Sequence, residues 1–162
     1  MKQTNFENSN MRASVLIVDS MADSLDSYVR IKDALQQLRI RVLVTGSGAE
    51  AMDHLYWLQP QSLLVIDTIL IDMSGLELAT KIKHQSAVPI LMTGYQTESH
   101  IIAGLLDLVA DDFVRKPVDP RELAARIHCL LNRTNRAALR QTKGSKAQTG
   151  RMILHHDQIK SM

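Results

Sequence analysis

Leu63-Leu64-Val65-Ile66-Asp67 is four aliphatic residues without a break, closed by a carboxylate. A strand with one wet face alternates apolar and polar residues, whereas an unbroken run marks a strand covered on both faces, as in a parallel sheet. Asp67 opens a loop, Thr68 to Gly75, that holds another carboxylate, Asp72. Three more short apolar runs end in the same way. Asp19 follows Val15-Leu16-Ile17-Val18, Thr93 follows Ile90-Leu91-Met92, and Lys116 follows Phe113-Val114-Arg115 and precedes Pro117. Two carboxylates, a hydroxyl and an ammonium at strand ends point to phosphoryl or metal chemistry.

The segments between these runs read as helices. Leu25, Val29, Ile31, Leu35 and Leu38 recur at helical spacing from Asp23 to Arg39, and a strand follows through Arg41-Val42-Leu43-Val44-Thr45. Gly46-Ser47-Gly48 breaks it, and a short helix holding Ala51, Met52, Leu55, Tyr56 and Leu58 stops at Pro60. Further on, helices are expected over Gly75 to His84, Glu98 to Leu108 and Asp119 to Asn132, with strands from Ile90 to Thr93 and Asp112 to Arg115. Strict alternation of five strands and helices predicts an open, doubly wound α/β domain with right-handed crossovers. Ligands of such sheets bind beyond the carboxyl ends of the strands, at the switch in strand order. A flavodoxin-like (βα)5 order, 2-1-3-4-5, brings together there the four strands that carry Asp19, Asp67, Thr93 and Lys116. Singly each has an ordinary role: Asp19 as a helix N-cap, Asp67 as a turn residue, Thr93 as a strand end, Lys116 on a solvated surface. None of these roles explains why all four fall at ends that the fold gathers.

The 162 residues suit one domain with tails: a lead over 1–12, a domain over 13–133 and a basic linker, or the start of a missing effector domain, over 134–162. The net charge of +2 is segregated along the chain. Residues 1–132 hold 12 Lys and Arg against 16 Asp and Glu, while residues 133–162 hold seven basic groups against Asp157 alone. That tail has no aromatic residue on which bases could stack, so a solvated linker is expected rather than a nucleic-acid reader. No apolar run is long enough for a bilayer, and Met1 to Asn10 lacks the apolar core of a secretory signal; a cytoplasmic protein with no membrane contact is expected. Cys129, the single cysteine, lies within the pattern Leu123, Ile127, Leu130, Leu131 and is expected to be a small buried hydrophobe. The six histidines are scattered and form no metal-ligating pair, and no glycine-rich phosphate loop is present.

In these features the chain resembles the phosphoacceptor receiver domain of two-component response regulators, over roughly residues 13–133. The resemblance rests on Val15-Leu16-Ile17-Val18-Asp19, on Asp67 with Met73-Ser74-Gly75-Leu76-Glu77-Leu78, on Pro89 to Thr93, and on Ala110-Asp111-Asp112-Phe113-Val114-Arg115-Lys116-Pro117. It implies that Asp67 takes a phosphoryl group from a sensor histidine kinase. It further implies Mg²⁺ held by Asp19, Asp67 and the backbone carbonyl of Ile69, with Thr93 and Lys116 contacting the phosphoryl group. Thr93 and Phe113 would form the switch: the hydroxyl moves to the phosphoryl group, the aromatic ring follows inward, and the surface between the fourth helix and the fifth strand changes.

Departures from the family pattern bear on mechanism. The family has two adjacent acids after the first strand, the second a direct metal ligand, where this chain has Asp19-Ser20. A neutral hydroxyl is a poor partner for Mg²⁺, so weak metal binding and slow phosphorylation are expected, with Asp23, one helical turn on, a candidate for partial compensation. Ile71 stands where proline is usual, which predicts a looser loop, and Pro89 is one residue closer to Thr93 than in the common pattern. Val109 replaces the usual glycine.

Ala110 to Phe113 and Pro120 to Arg126 are similar to the OmpR-type subfamily. That likeness implies a homodimer through the fourth helix, fifth strand and fifth helix, with Asp111 and Asp112 set against Arg121 and Arg126. Ile101 occupies the usual basic position of the fourth helix, leaving Glu122 without that mate. DNA would be reached only through a C-terminal winged-helix domain that this chain does not contain. Two other readings stay open: an atypical receiver acting without phosphorylation as a protein-interaction module, and an enzyme of the aspartyl-phosphatase kind. Against the latter, the position two residues after the nucleophile is Ile69 rather than an acid, and a signalling module that is not an enzyme is preferred.

Overall fold

A computed structural model describes residues 13–20, 25–55, 58, 61–95 and 98–137. Expectations for residues 1–12, Asp23, Pro60 and the basic tail past 137 lie outside these. The chain divides into two compact units, Met1–Leu131 and Asn132–Met162. Of the second, residues 132–137 are described, and they are helical.

The five strands are β1 (Ala13–Val18), β2 (Ile40–Thr45), β3 (Ser62–Asp67), β4 (Ile90–Gly94) and β5 (Asp112–Arg115). The helices are α1 (Leu25–Gln37), α2 (Gly48–His54), α3 (Gly75–Gln85) and α4 (Ser99–Leu108), followed by α5 over 120–137. All strand pairs are parallel, in the order β2-β1-β3-β4-β5. This is the flavodoxin-like, doubly wound order expected from the alternation of runs. The unbroken apolar runs are the cause: every residue of β1, β3 and β4 is buried.

Each face of the sheet has its own core. Val15, Ile17, Leu63, Val65, Leu91 and Val114 meet Ile31 and Leu35 of α1 and Leu123, Ile127, Leu130 and Leu131 of α5. On the opposite face Leu16, Val18, Leu64, Ile66, Ile90, Met92 and Phe113 meet Ala51, Leu78, Ala79, Ile82 and Leu105 from α2, α3 and α4. Residues adjacent in a strand thus enter opposite cores. Fully burying one such Leu or Ile is worth about 1.5–3 kcal/mol.

Three local expectations change. Val29 and Leu38 are exposed, and among the described side chains of α1 it is Ile31 and Leu35, with Ala34 beside them, that face the core. The helical span of α5 runs past Asn132 to residue 137. Cys129 is exposed, not a buried hydrophobe. It lies two residues from the buried Ile127, roughly 200° round an α-helix, so it shares the span of the apolar stripe but not its face.

Candidate functional site

Parallel pairing sets the polar ends side by side. Val18 pairs with Ile66, Asp67 with Thr93, and Thr93 with Val114, so Asp19 and Lys116 follow at the same edge. Lys116 Nζ donates to Asp19 Oδ2 at 2.8 Å and to Asp67 Oδ2 at 2.6 Å. The three side chains are only 3%, 7% and 6% exposed. Burial by itself would push the Lys116 ammonium down. The hydrogen bonds and charges of Asp19 and Asp67 outweigh it and raise the group from 10.5 to about 12. Lys116 is therefore a fixed cation, with the Tyr95 ring centroid 5.9 Å from its Nζ.

The second oxygen of Asp67 belongs to its own loop. Oδ1 accepts from the Ile69 amide at 3.2 Å and the Thr68 hydroxyl at 3.3 Å. The Thr68 amide reaches the Thr93 carbonyl at 2.8 Å, and Gly75 N donates back to Thr68 O at 2.9 Å. Gly75 is required there: a Cβ would stand 1.9 Å from the Asp67 carbonyl oxygen. The start of α3, capped by the Ser74 side chain on Glu77 N, can lie against the end of β3 only without a side chain at this position.

The loop in which Ile71 stands for proline is tied to a neighbouring element. Ile71 is 76% exposed at its tip. Beside it, Asp72 Oδ1 and Oδ2 accept from the Gly48 and Ala49 amides at 2.9 Å each, tying the loop to the first turn of α2. These two amides hold the Asp72 carboxyl below its ordinary value of 3.8. In the sequence Asp72 is only an extra carboxylate of the loop, because a contact spanning 24 residues leaves no local signature.

Asp19, Asp67 and the Ile69 carbonyl offer hard oxygens, the donor set Mg²⁺ takes when it is held by one or two carboxylates, a phosphoryl group and its own waters. Ser20 Oγ donates to the Ile69 carbonyl at 3.4 Å, which places the hydroxyl beside that donor set. No group of three or more His, Cys, Asp or Glu is poised for a metal among the described residues. The set fits the ion, with two carboxylates among the described residues.

Thr93 and Phe113 are both buried, and Phe113 already packs in the core that contains Met92, Leu105, Val109 and Ala110. On the far side of β5, the residues expected at a dimer face have partners within the protomer. Asp111 accepts from Lys83 at 2.9 Å and from Ile90 N at 2.8 Å. Asp112 pairs with Arg126 at 2.9 Å, and Arg126 also holds Glu122 at 2.8 Å, which gives Glu122 a mate within its own helix. Both partners raise the Arg126 guanidinium above its ordinary value, Asp112 more strongly. Arg121 is exposed.

The response regulator receiver domain family matches residues 15–128, in which all four strand-end groups fall. The chain belongs to that family. Its members bind Mg²⁺ at an acidic pocket, interact with histidine kinases and serve as signalling modules of two-component systems. Over 142 residues the chain is 31% identical to the "Probable transcriptional regulator ycf27" of Cyanophora paradoxa, spanning 86% of this chain and 57% of that protein. It is 32% identical over 125 residues to the DNA-binding response regulator MtrA of Mycobacterium tuberculosis, spanning 77% of this chain and 53% of that one. The chain thus spans about half the length of the curated relatives it matches. Among solved structures, the receiver domain of the response regulator TorR superposes with a TM-score of 0.65 at 29% identity, covering 75% of this chain and 98% of that one. The signal receiver domain of the LuxO protein from Vibrio parahaemolyticus superposes with a TM-score of 0.68 over 80% of this chain and 97% of that one, and at 21% identity shares the fold. No described helix is long and apolar enough to cross a membrane.

Proposed function

We propose that Asp67 is the phosphoacceptor of this receiver domain, loaded by a histidine kinase, and that loading alters the α4-β5-α5 surface. The observation that carries this reading is the buried ammonium of Lys116 held between Asp19 and Asp67. In the transfer, an Asp67 oxygen forms a bond to phosphorus as the phosphorus–nitrogen bond of the donor's phosphohistidine breaks, its electron pair leaving on the imidazole nitrogen. Lys116 exchanges its bond to Asp67 for one to the new phosphoryl oxygens, while Asp19 keeps it in place. The Ile69 amide orients Asp67, and the Thr93 hydroxyl lies on the neighbouring strand within the same edge of the sheet. Mg²⁺, when bound by Asp19, Asp67 and the Ile69 carbonyl, offsets repulsion between the phosphoryl group and the carboxylates. With Ser20 in place of an acid its binding is weak. The domain acts as a switch and not as a turnover enzyme.

The output is a homodimer through α4, β5 and α5 of the OmpR type, with any contact to DNA, the property in the printed name of the relative MtrA, made by a further domain. Because Asp111, Asp112 and Arg126 are paired inside the protomer, dimerisation requires those pairs to exchange partners or to present their remaining oxygens and nitrogens across a two-fold axis. Binding of beryllofluoride, a phosphoryl mimic, in the presence of Mg²⁺ tests the reading by calorimetry. Saturable binding lost in Asp67→Ala is expected, and no binding at high Mg²⁺ would contradict it.

A second reading draws on two observations. Lys116 holds one oxygen of each carboxylate, and Phe113 is buried in the core that contains Met92, Leu105 and Val109. Both fit a receiver that works as an interaction module without phosphorylation. Normal signalling in cells by an Asp67→Ala variant is its expected mark.

A further inference from the structure

The turn between β2 and α2 grips both of the loops that carry the site's acids. On one side the Asp19 amide donates to the Thr45 carbonyl at 3.0 Å, where the Thr45 hydroxyl is itself anchored on Glu50. On the other side Asp72 takes the Gly48 and Ala49 amides, and Met73 packs so tightly on Gly48 that a Cβ there would stand 2.7 Å from its sulfur. Ser47 completes the turn by capping Glu50 N at 3.2 Å. By contrast, the direct link between the two acid-bearing loops, Ser20 to Ile69, is long at 3.4 Å.

The loop closes on itself beyond the end of β3. Gly75 N meets Thr68 O, and Ile69 pairs with Ser74. Leu70 is buried beneath it, but the exposed Ile71 adds little packing. The two-pronged bond of Asp72 ties the outer side of the loop to α2, a charge-assisted pair of hydrogen bonds and so stronger than neutral ones. We propose that Asp72 is a positioning residue for Asp67: by holding the first turn of α2 it fixes the loop that aims the Ile69 amide and carbonyl at the phosphoacceptor. This rests on the reading of Asp67 as acceptor. A displacement of about 1 Å at a reacting group costs roughly 10²-fold in rate, so slack in this loop is felt at Asp67 although Asp72 touches none of the reacting atoms.

The test compares the wild type with Asp72→Ala, Asp72→Asn and, as a control for general destabilisation, Leu35→Ala, a core change on the opposite face of the sheet. Beryllofluoride affinity in Mg²⁺ should fall about tenfold or more in Asp72→Ala, recover in part in Asp72→Asn, whose single carbonyl oxygen can still hold one amide, and stay near wild type in folded Leu35→Ala. Hydrogen exchange at the Ile69 amide should quicken in Asp72→Ala with no ligand present. Wild-type affinity in both Asp72 variants, or a loss in Leu35→Ala equal to that in Asp72→Ala, would overturn the proposal. If the wild type fails to bind beryllofluoride, it is the phosphoacceptor reading that fails. Exchange at Ile69 then decides for Asp72 alone, unchanged exchange refuting its hold on the loop; should Asp72→Ala not fold, Asp72→Asn is read in the same two assays.

Discussion

Lys116 is the residue on which the site's electrostatics turn. Removing it leaves two buried carboxylates facing each other without a cation. Breaking such a buried set by losing one partner costs roughly 3 kcal/mol or more, and Lys116→Ala should show that loss in chemical denaturation at neutral pH. The pH dependence has a definite sign. The folded ammonium titrates near 12, above its ordinary 10.5, so its stabilising contribution is complete below 10.5 and fades as pH climbs through about 12. Stability of the wild type should therefore fall across that window more steeply than stability of Lys116→Ala. Asp72 acts at the other end of the scale: its depressed carboxyl stabilises above 3.8 and loses that effect as pH drops through its lower folded value. Ser20 is the departure from the family pattern that bears on the proposed metal site. Ser20→Asp adds the missing hard anion beside the Ile69 carbonyl and should tighten Mg²⁺ binding by about tenfold or more, measured by calorimetry on the apo protein. An unchanged affinity would mean that the substitution at this position is not what limits the metal.

At the scale of elements, the strands were legible and the braces between loops were not. Leu63 to Ile66 announced a strand buried on both sides because each of these residues enters one core or the other. The four strand-end groups followed, since parallel pairing aligns such ends whatever the helices between them look like. The grip of Asp72 on α2 and the Lys83–Asp111 pair could not be read, because each depends on how separate elements meet, whereas the outward face of Cys129 follows from its spacing to Ile127 within one helix. Glycine substitutions check the elements one by one. Gly75→Ala drives a methyl group into the Asp67 carbonyl and should destabilise by about 3 kcal/mol or prevent folding, since over-packing against backbone cannot be relieved by a rotamer change. Gly104, inside α4, has nothing within 4 Å of where a Cβ would stand. Gly104→Ala should stabilise by about 0.5–1 kcal/mol through helix propensity alone. Thermal melts of the two variants side by side give the contrast, and a stabilised Gly75→Ala would refute the close approach of α3 to β3.

In the unit Met1–Leu131 a parallel sheet brings two acids, a hydroxyl and a cation, all with little exposure, to the carboxyl ends of its strands. Family membership and fold were both readable from the order of the strand ends, whereas the pairing of Asp112 with Arg126 inside one protomer was not, because the same charges also suit a partner across a two-fold axis. The central claim is that Asp67 accepts a phosphoryl group. Incubation of the protein with acetyl phosphate, with and without Mg²⁺, followed by intact mass measurement, addresses it most directly. The account predicts a single added phosphoryl group that needs high Mg²⁺, is absent in Asp67→Asn and forms at lower Mg²⁺ in Ser20→Asp. An unlabelled wild type at every Mg²⁺ concentration, or a label that persists in Asp67→Asn, would contradict it.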